Sequence, residues 1–247
     1  MTDFVLTLAA LWLPVGALVL TLTLLRLARL KLAWFLAAIS LFVASYASLM
    51  FVGRLIPVEA CFGDLNWNWG GKIASIALSI AAVGAVCLLT GRSPRDAGVT
   101  LRQNENSVLA AIAASMLLIV FAVGAQLMVS DREHVDAETL LFQATMPGLD
   151  EELFWRGVFL LAMTQAVGGA RFVFWGAPLS WGGALVALLF GLGHGMAVQH
   201  GQLGFSLPAI VVTGIMGLGL WWIRERTGSI VVPLVVHNLV NLCASLL

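Results

Sequence analysis

The sequence predicts an all-α, polytopic membrane protein, and two features of its composition lead to this class. Of its 247 residues, 60% are hydrophobic and 11% are charged, and the mean hydropathy is +0.98. Soluble globular proteins carry about 25% charged residues, so a soluble enzyme is excluded. Thirteen basic residues balance thirteen acidic ones, which gives no indication of a nucleic-acid partner. We therefore expect the lipid bilayer to surround the chain.

About eight apolar stretches follow one another along the chain, most of them near the roughly 20 residues that a spanning helix needs. They cover residues 4–25, 32–53, 73–90, 107–129, 139–166, 181–197, 207–223 and 229–246. Lipid offers no partner for backbone polar groups, so helices are expected, and the alternation of membrane strands is absent. The first stretch lacks the flanks of a signal peptide and is expected to be retained. We predict one membrane domain over 1–247, with four spans in 1–130 and a motif-bearing core in 139–247.

The basic residues of the loops predict the orientation. Nine of them follow the odd-numbered stretches and three follow the even-numbered ones. Because basic loops stay in the cytoplasm, we expect both termini to lie outside. The two sets are Arg26, Arg29, Lys31, Arg92, Arg95, Arg102, Arg171, Arg224 and Arg226, against Arg54, Lys72 and Arg132.

The fifth stretch contains four ionisable residues within seven positions, Asp150, Glu151, Glu152 and Arg156. Such residues inside a span indicate a functional site by default. Glu152 and Arg156 are four positions apart and can pair on one helix face. Glu151 is roughly 140° from Arg156 around the helix, so we expect it to lack a partner. An unpaired buried carboxylate can exchange protons near neutral pH, which predicts a structural Glu152 and a chemical Glu151.

A second interpretation places these acids at a helix start. Pro147 and Gly148 could begin a new helical segment, whose first turn favours acidic residues. Such a start would lie well inside a stretch that begins near Thr139. That depth makes simple capping the less favoured interpretation.

Two of the four histidines, His194 and His237, lie inside apolar stretches. His237 and Asn241 are four positions apart and share a helix face. A rise of about 1.5 Å per residue brings both histidines, Asn241 and Glu151 to comparable depths. We therefore expect these four side chains to meet in one cavity.

This set of side chains suits peptide-bond hydrolysis. A glutamate and a histidine can deprotonate a shared water, and a second histidine with an asparagine can donate hydrogen bonds to an oxyanion. Zinc is an alternative because it also takes glutamate and histidine ligands, although the HExxH spacing is absent. We predict neither a metal nor another cofactor.

The motifs resemble those of a known family. The segments EELFWR (Glu151, Glu152, Arg156), FGLGH (Phe190, His194) and HNLVN (His237, Asn241) are similar in order and spacing to the three motifs of the CAAX protease and bacteriocin-processing (CPBP, or Abi) family of intramembrane proteases. The resemblance covers about residues 140–247. Trp155 departs from it, since the family usually has Phe before the arginine.

The resemblance implies a glutamate-type endopeptidase with a CAAX-endopeptidase-like helical bundle in a prokaryotic cytoplasmic membrane. In it, Glu151 and His194 would activate the water, His237 and Asn241 would form the oxyanion hole, and Glu152 and Arg156 would support the site. The implied substrate is a membrane-associated peptide or protein, for example one with a lipidated CAAX end, a C-terminal sorting tail or a bacteriocin-related sequence.

Three further interpretations remain open. The chain could be a non-catalytic scaffold or immunity protein on the same fold. It could also be a transporter that uses the carboxylates as a proton relay. Trp67 and Trp69 could contact substrate, although such residues more commonly anchor a protein at the membrane interface.

Overall fold

The structure is a computed structural model that describes residues 1–128 and 135–247. Arg132, one of the three basic residues that follow the even-numbered stretches, lies outside the described residues. The described helices are α1 (Thr2–Leu24), α2 (Leu32–Met50), α3 (Val58–Phe62), α4 (Trp69–Thr90), α5 (Val108–Leu127), α6 (Ala137–Glu151), α7 (Phe159–Ala166), α8 (Trp181–Gly195), α9 (Leu207–Thr227) and α10 (Val231–Ser245).

The predicted all-α class is confirmed, and each of the eight apolar stretches contains a helix. Among the described residues, five helices are long and apolar enough to cross a membrane: α1, α2, α4, α5 and α9. Helices α8 and α10 are apolar but shorter. The number of eight spans therefore stays a prediction.

The fifth stretch is built differently from the single helix that its hydropathy suggests. Helix α6 begins after Asp136, whose side chain accepts a hydrogen bond from the Thr139 N–H at 2.7 Å. It passes through Pro147 and is followed by a π-helical segment, Glu152–Val158. At Gly157 the backbone leaves helical geometry (φ −92°, ψ −110°), and α7 follows. The interpretation of Pro147 as a helix start is wrong, because the acids lie at the end of α6.

Short antiparallel hairpins lie at helix ends, a feature that the hydropathy pattern does not predict. Strand β1 (Ala28–Leu30) pairs with β2 (Val167–Gly169), with Ala28 opposite Gly169. The others are β3 (Phe172–Phe174) with β4 (Ala177–Leu179), and β5 (Met196–Gln199) with β6 (Gln202–Phe205). Trp175–Gly176 and His200–Gly201 form the tight turns with positive φ that such hairpins favour. Strands of three or four residues are too short to produce a periodic signal.

Glycines bring α8 close to its neighbours, because a residue without a side chain lets two helix backbones approach. A Cβ atom on Gly191 would lie 2.8 Å from the carbonyl oxygen of Ile210 in α9. A Cβ on Gly182 would similarly collide with the backbone of Met163 in α7. This close packing fixes the helix that carries His194.

Candidate active site

Glu151 is the last residue of α6, and one of its carboxylate oxygens faces two histidines. Its Oε2 lies 3.7 Å from Nε2 of His194 and 3.8 Å from Nε2 of His237. These separations exceed a direct hydrogen bond and suit a small group that bridges the three atoms. Oε2 is buried and has no hydrogen-bond partner among the described residues.

The other ring nitrogens define the histidine tautomers through their partners. Nδ1 of His194 lies 2.7 Å from the carbonyl oxygen of Phe190, which can only accept, so this Nδ1 carries the proton. Nδ1 of His237 lies 2.7 Å from Oε1 of Glu152 and likewise donates to an ionised carboxylate. In neutral imidazoles both Nε2 atoms are then acceptors. Three acceptors converge at one point, an arrangement that a proton donor such as water satisfies.

Glu152 supports His237 from a fully buried position. Its Oε1 also accepts a hydrogen bond from Nη1 of Arg156 at 2.9 Å, and the two side chains are 0% and 1% exposed. The predicted pair is therefore present. The Arg156 guanidinium lies 4.2 Å from the ring centroid of Phe190, a cation–π contact that links this pair to the helix bearing His194.

Glu151, in contrast, is not the unpaired carboxylate that its position relative to Arg156 suggests. Lys72, at the start of α4, places its Nζ 2.8 Å from Oε1 of Glu151 and 2.9 Å from Oδ2 of Asp150. The expectation is wrong because it depends on partners within one helix, whereas Lys72 lies 79 positions away in the sequence. Hydropathy places Lys72 in a loop, yet it lies in α4 and its side chain is only 14% exposed.

A signal for this role of Lys72 was present in the sequence. Lys72, Ser75 and Ser79 occupy positions i, i+3 and i+7 and so form a polar stripe on an apolar helix. Both serines are fully buried in the structure. Ser75 Oγ lies 3.3 Å from Ser45 Oγ of α2. The stripe therefore faces the protein and not the lipid.

The four residues predicted to be catalytic line one cavity of about 510 Å³. Glu151, His194, His237 and Asn241 all contribute to its wall. The remaining wall residues are mostly small or apolar and include Ala122, Ala125, Val212, Met216, Val240 and Ala244. Asn241 makes no side-chain hydrogen bond within the described residues, so its amide is available to a ligand in the cavity.

Helix α10 approaches α6 closely at Gly148, which helps to bring His237 to Glu151. A Cβ on Gly148 would lie 2.6 Å from both Oδ1 of Asn238 and the carbonyl oxygen of Leu234. The Gly148 N–H donates to that same Oδ1 at 2.7 Å. Asn238, which is not among the predicted site residues, thus joins the two helices one turn before the carboxylates.

Trp67 and Trp69 contact the start of α6. Both rings pack on Phe142, with centroid distances of 5.0 and 5.1 Å. The indole N–H of Trp69 donates to Glu138 at 3.0 Å, and that of Trp67 donates to Thr139 at 3.0 Å. The described contacts of both indoles are therefore within the protein, and neither residue lines the large cavity.

Trp155, the departure from the family motif, packs in an aromatic cluster. Its ring meets those of Phe42, Phe159 and Phe190 edge-on, with centroid distances between 5.3 and 5.7 Å. The larger ring is thereby accommodated beside the site through packing.

The donor atoms around Glu151 do not suit a metal ion. Among the side chains that the structure describes, no group of three His, Cys, Asp or Glu is arranged to hold a metal. Glu151 also carries the Lys72 ammonium at 2.8 Å, and this cation disfavours a second one on the same carboxylate. The geometry favours a neutral hydrogen-bonding ligand such as water.

The fold and the buried carboxylate–histidine cluster define an integral membrane protein with a polar site among apolar helices. Residues 136–243 match the model of a protease family described as type II CAAX prenyl endopeptidase Rce1-like. The resemblance predicted from the three motifs is thus confirmed over these residues, and the match indicates a protease. No curated protein and no solved structure matches the chain significantly. The matched range contains every predicted site residue, and it leaves out the first four apolar stretches and Lys72.

Proposed function

We propose that the chain is an intramembrane endopeptidase that uses an activated water. The observation that carries the proposal is the convergence of Glu151 Oε2 with the Nε2 atoms of His194 and His237, at 3.7 and 3.8 Å. Asn241 lines the same cavity. General bases and oxyanion donors are therefore available on the wall of a single space.

In the proposed reaction, a water bound to Glu151 and His194 attacks the scissile carbonyl carbon. One water proton passes to this pair as the new C–O bond forms. Asn241 donates a hydrogen bond to the oxyanion through its amide. His237 donates a second one from Nε2 after this atom has bound a proton from solvent, because its Nδ1 already donates to the Glu152 carboxylate. The stored proton then moves to the leaving nitrogen as the C–N bond breaks.

We propose a membrane-associated protein or peptide as the substrate. The wall of the cavity is mostly apolar, so the part of the substrate that lies beside the scissile bond should be uncharged. The description of the matched family points to lipidated CAAX ends, while sorting tails and bacteriocin-related peptides are other substrates of this class.

The proposal is tested by the new peptide termini that the protein produces. The purified chain in liposomes would be incubated with the detergent-extracted membrane proteins of its own source cells, and the new termini identified by mass spectrometry. A farnesylated peptide with a CAAX end would be included as a defined probe. We expect wild type to produce termini that Glu151→Gln does not, because the amide cannot accept the proton of the water.

The matched control is Glu105→Gln, which changes an exposed glutamate and should leave all products unchanged. Equal products from wild type and Glu151→Gln would overturn the proposal and favour the scaffold interpretation. Cleavage abolished by a zinc chelator and restored by zinc would favour a metalloprotease. A transporter would be favoured by a different result: wild type carries protons across sealed liposomes and produces no new peptide termini, and Glu151→Gln abolishes this proton flux.

We also propose that both termini lie outside a prokaryotic cytoplasmic membrane, on the support of the unequal loop charges. Reporter fusions at each terminus, active on one side of the membrane only, test this orientation. Cytoplasmic reporter activity at both termini would show that the orientation is the opposite one.

A further inference from the structure

A lysine from the N-terminal helices forms part of the wall around Glu151. Its Nζ donates to Glu151 at 2.8 Å and to Asp150 at 2.9 Å. The three side chains are between 3% and 17% exposed. Lys72 lies outside the region that matches the protease family, so neither the motifs nor the match assigns it a role.

The geometry of this contact divides the two oxygens of Glu151 between two partners. Oε1 is held by the Lys72 ammonium, and Oε2 faces the two histidines. A carboxylate held at one oxygen cannot rotate freely, so the lysine selects the rotamer in which Oε2 points to His194 and His237. Asp150 holds the same ammonium from the preceding position and thereby limits the movement of Lys72.

Lys72 also affects the electrostatic repulsion between Asp150 and Glu151. Asp150 and Glu151 are adjacent carboxylates that repel one another, and Lys72 offsets part of this repulsion at hydrogen-bond distance. The three together carry a formal charge of −1. A merely neutralising role and a positioning role for Lys72 therefore make different predictions, because the charge can be conserved while the contact is removed.

A smaller cavity of about 170 Å³ lies beside this contact. Its wall includes Lys72, Asp150, Glu151 and His194, together with Ser45 of α2. Glu151 and His194 also line the large cavity, so they lie between the two spaces. Water occupies about 30 Å³ per molecule in the liquid, and the smaller cavity has room for several molecules next to the proposed base.

We propose that Lys72, held by Asp150, is a positioning residue that orients Glu151 for water activation, so that the N-terminal helices complete the active site. This inference rests on the proposed protease function. It assigns Lys72 a role through Glu151 and not through contact with substrate.

The test compares single and charge-conserving variants in liposomes. The probe is a synthetic peptide that spans the cleavage site found with the membrane extract. Lys72→Met should lower kcat about 100-fold with KM nearly unchanged, as expected for a displaced catalytic group. Lys72→Arg, which keeps the charge and can donate to both carboxylates, should recover most of the rate. Lys31→Met removes the other lysine of the chain, an exposed one, and should behave as wild type.

The decisive variant is Lys72→Met combined with Asp150→Asn. It keeps the formal charge of −1 and removes the contact to Glu151. Because no carboxylate is left in excess, this double variant also provides a folded protein if Lys72→Met alone fails to fold. A kcat that stays about 100-fold low in the folded double variant supports positioning. A kcat restored to the wild-type value means that Lys72 only neutralises charge and overturns the inference. Glu151→Gln is assayed in parallel to test the proposed function itself. If that function is wrong, wild type and Glu151→Gln will show the same products, whatever the Lys72 variants do.

Discussion

The N-terminal helices, within residues 1–128, and the C-terminal region, residues 135–247, contribute to the site in different ways. The C-terminal region contains all six motif residues and the family match. Its long apolar helix is also the more buried one: in the most apolar window of α9, 33% of the residues are buried, against 22% in each of α1, α2, α4 and α5. The four N-terminal candidate spans therefore direct most of their surface outward, as helices in lipid do.

The difference does not make the N-terminal helices a passive anchor. Two short segments around the start of α4 contact α6 near both of its ends. Residues 66–69 bind its beginning through Glu138, and Lys72 binds its end through Asp150 and Glu151. A region with a smaller buried share can thus contact a site whose motif residues all come from elsewhere.

The largest expected effect comes from the buried pair within the C-terminal region. Arg156→Met leaves the fully buried Glu152 carboxylate without its cationic partner. Removing one member of a buried pair costs about 3–5 kcal/mol of unfolding free energy, measurable by SDS-induced unfolding in mixed micelles. Arg95→Met, at an exposed position, should change it by less than about 0.5 kcal/mol.

The double variant of Arg156→Met with Glu152→Gln tests whether the loss of stability comes from the unpaired buried carboxylate. Because it removes both charges, it should recover part of the lost stability. An Arg156→Met variant as stable as wild type would show that the C-terminal region does not depend on this pair.

Local patterns in the sequence were sufficient for the helices and for part of the site. The eight apolar stretches match helices to within a few residues at most ends, because a bilayer imposes helical structure on long apolar runs. The pairing of Glu152 with Arg156 follows from a spacing of four within one turn of helix. The meeting of Glu151, His194, His237 and Asn241 follows from similar depth in neighbouring spans.

The remaining features depend on contacts that are distant in sequence. Lys72 reaches Glu151 across 79 positions, and no spacing rule predicts such a pair. The π-helical segment Glu152–Val158 interrupts a stretch whose hydropathy is that of an ordinary helix. Asn238 bonds to the Gly148 N–H, a detail of packing between α6 and α10 that hydropathy does not encode.

A smaller effect is expected from two helical glycines, Gly148 at a close contact in the C-terminal region and Gly84 at an open position in the N-terminal region. In Gly148→Ala, the added methyl group collides with Asn238 and the backbone of Leu234, and such overpacking typically costs about 1–3 kcal/mol. In Gly84→Ala, in α4, nothing lies within 4 Å of the new atom, so stability should stay the same or rise by about 0.5–1 kcal/mol. The same unfolding titration measures both variants. Equal losses in the two would contradict the difference in packing.

The smallest effect concerns the contact between residues 66–69 and the start of α6, which lies ahead of the predicted span. The backbone N–H of Asn66 is the main cause that lowers the pKa of Glu138 below its ordinary value, with further donation from Trp67 and Trp69. A depressed carboxyl pKa stabilises the fold fully above the ordinary glutamate value of about 4.3, and this contribution is lost as the pH falls through the folded-state pKa.

Amide hydrogen exchange of Asn66 and Trp67, corrected for the intrinsic effect of pH, measures this contact directly. In wild type, we expect their protection to fall as the pH is lowered from about 5 to 3. Glu138→Gln should show weaker protection with little pH dependence, because the neutral amide offers a single acceptor oxygen in place of two. Glu105→Gln, at an exposed position, should keep the wild-type profile. If Glu138→Gln also kept it, the ionised carboxylate would not be what joins the N-terminal helices to the start of α6, and the positioning of that helix would rest on the aromatic contacts with Phe142 and on Lys72.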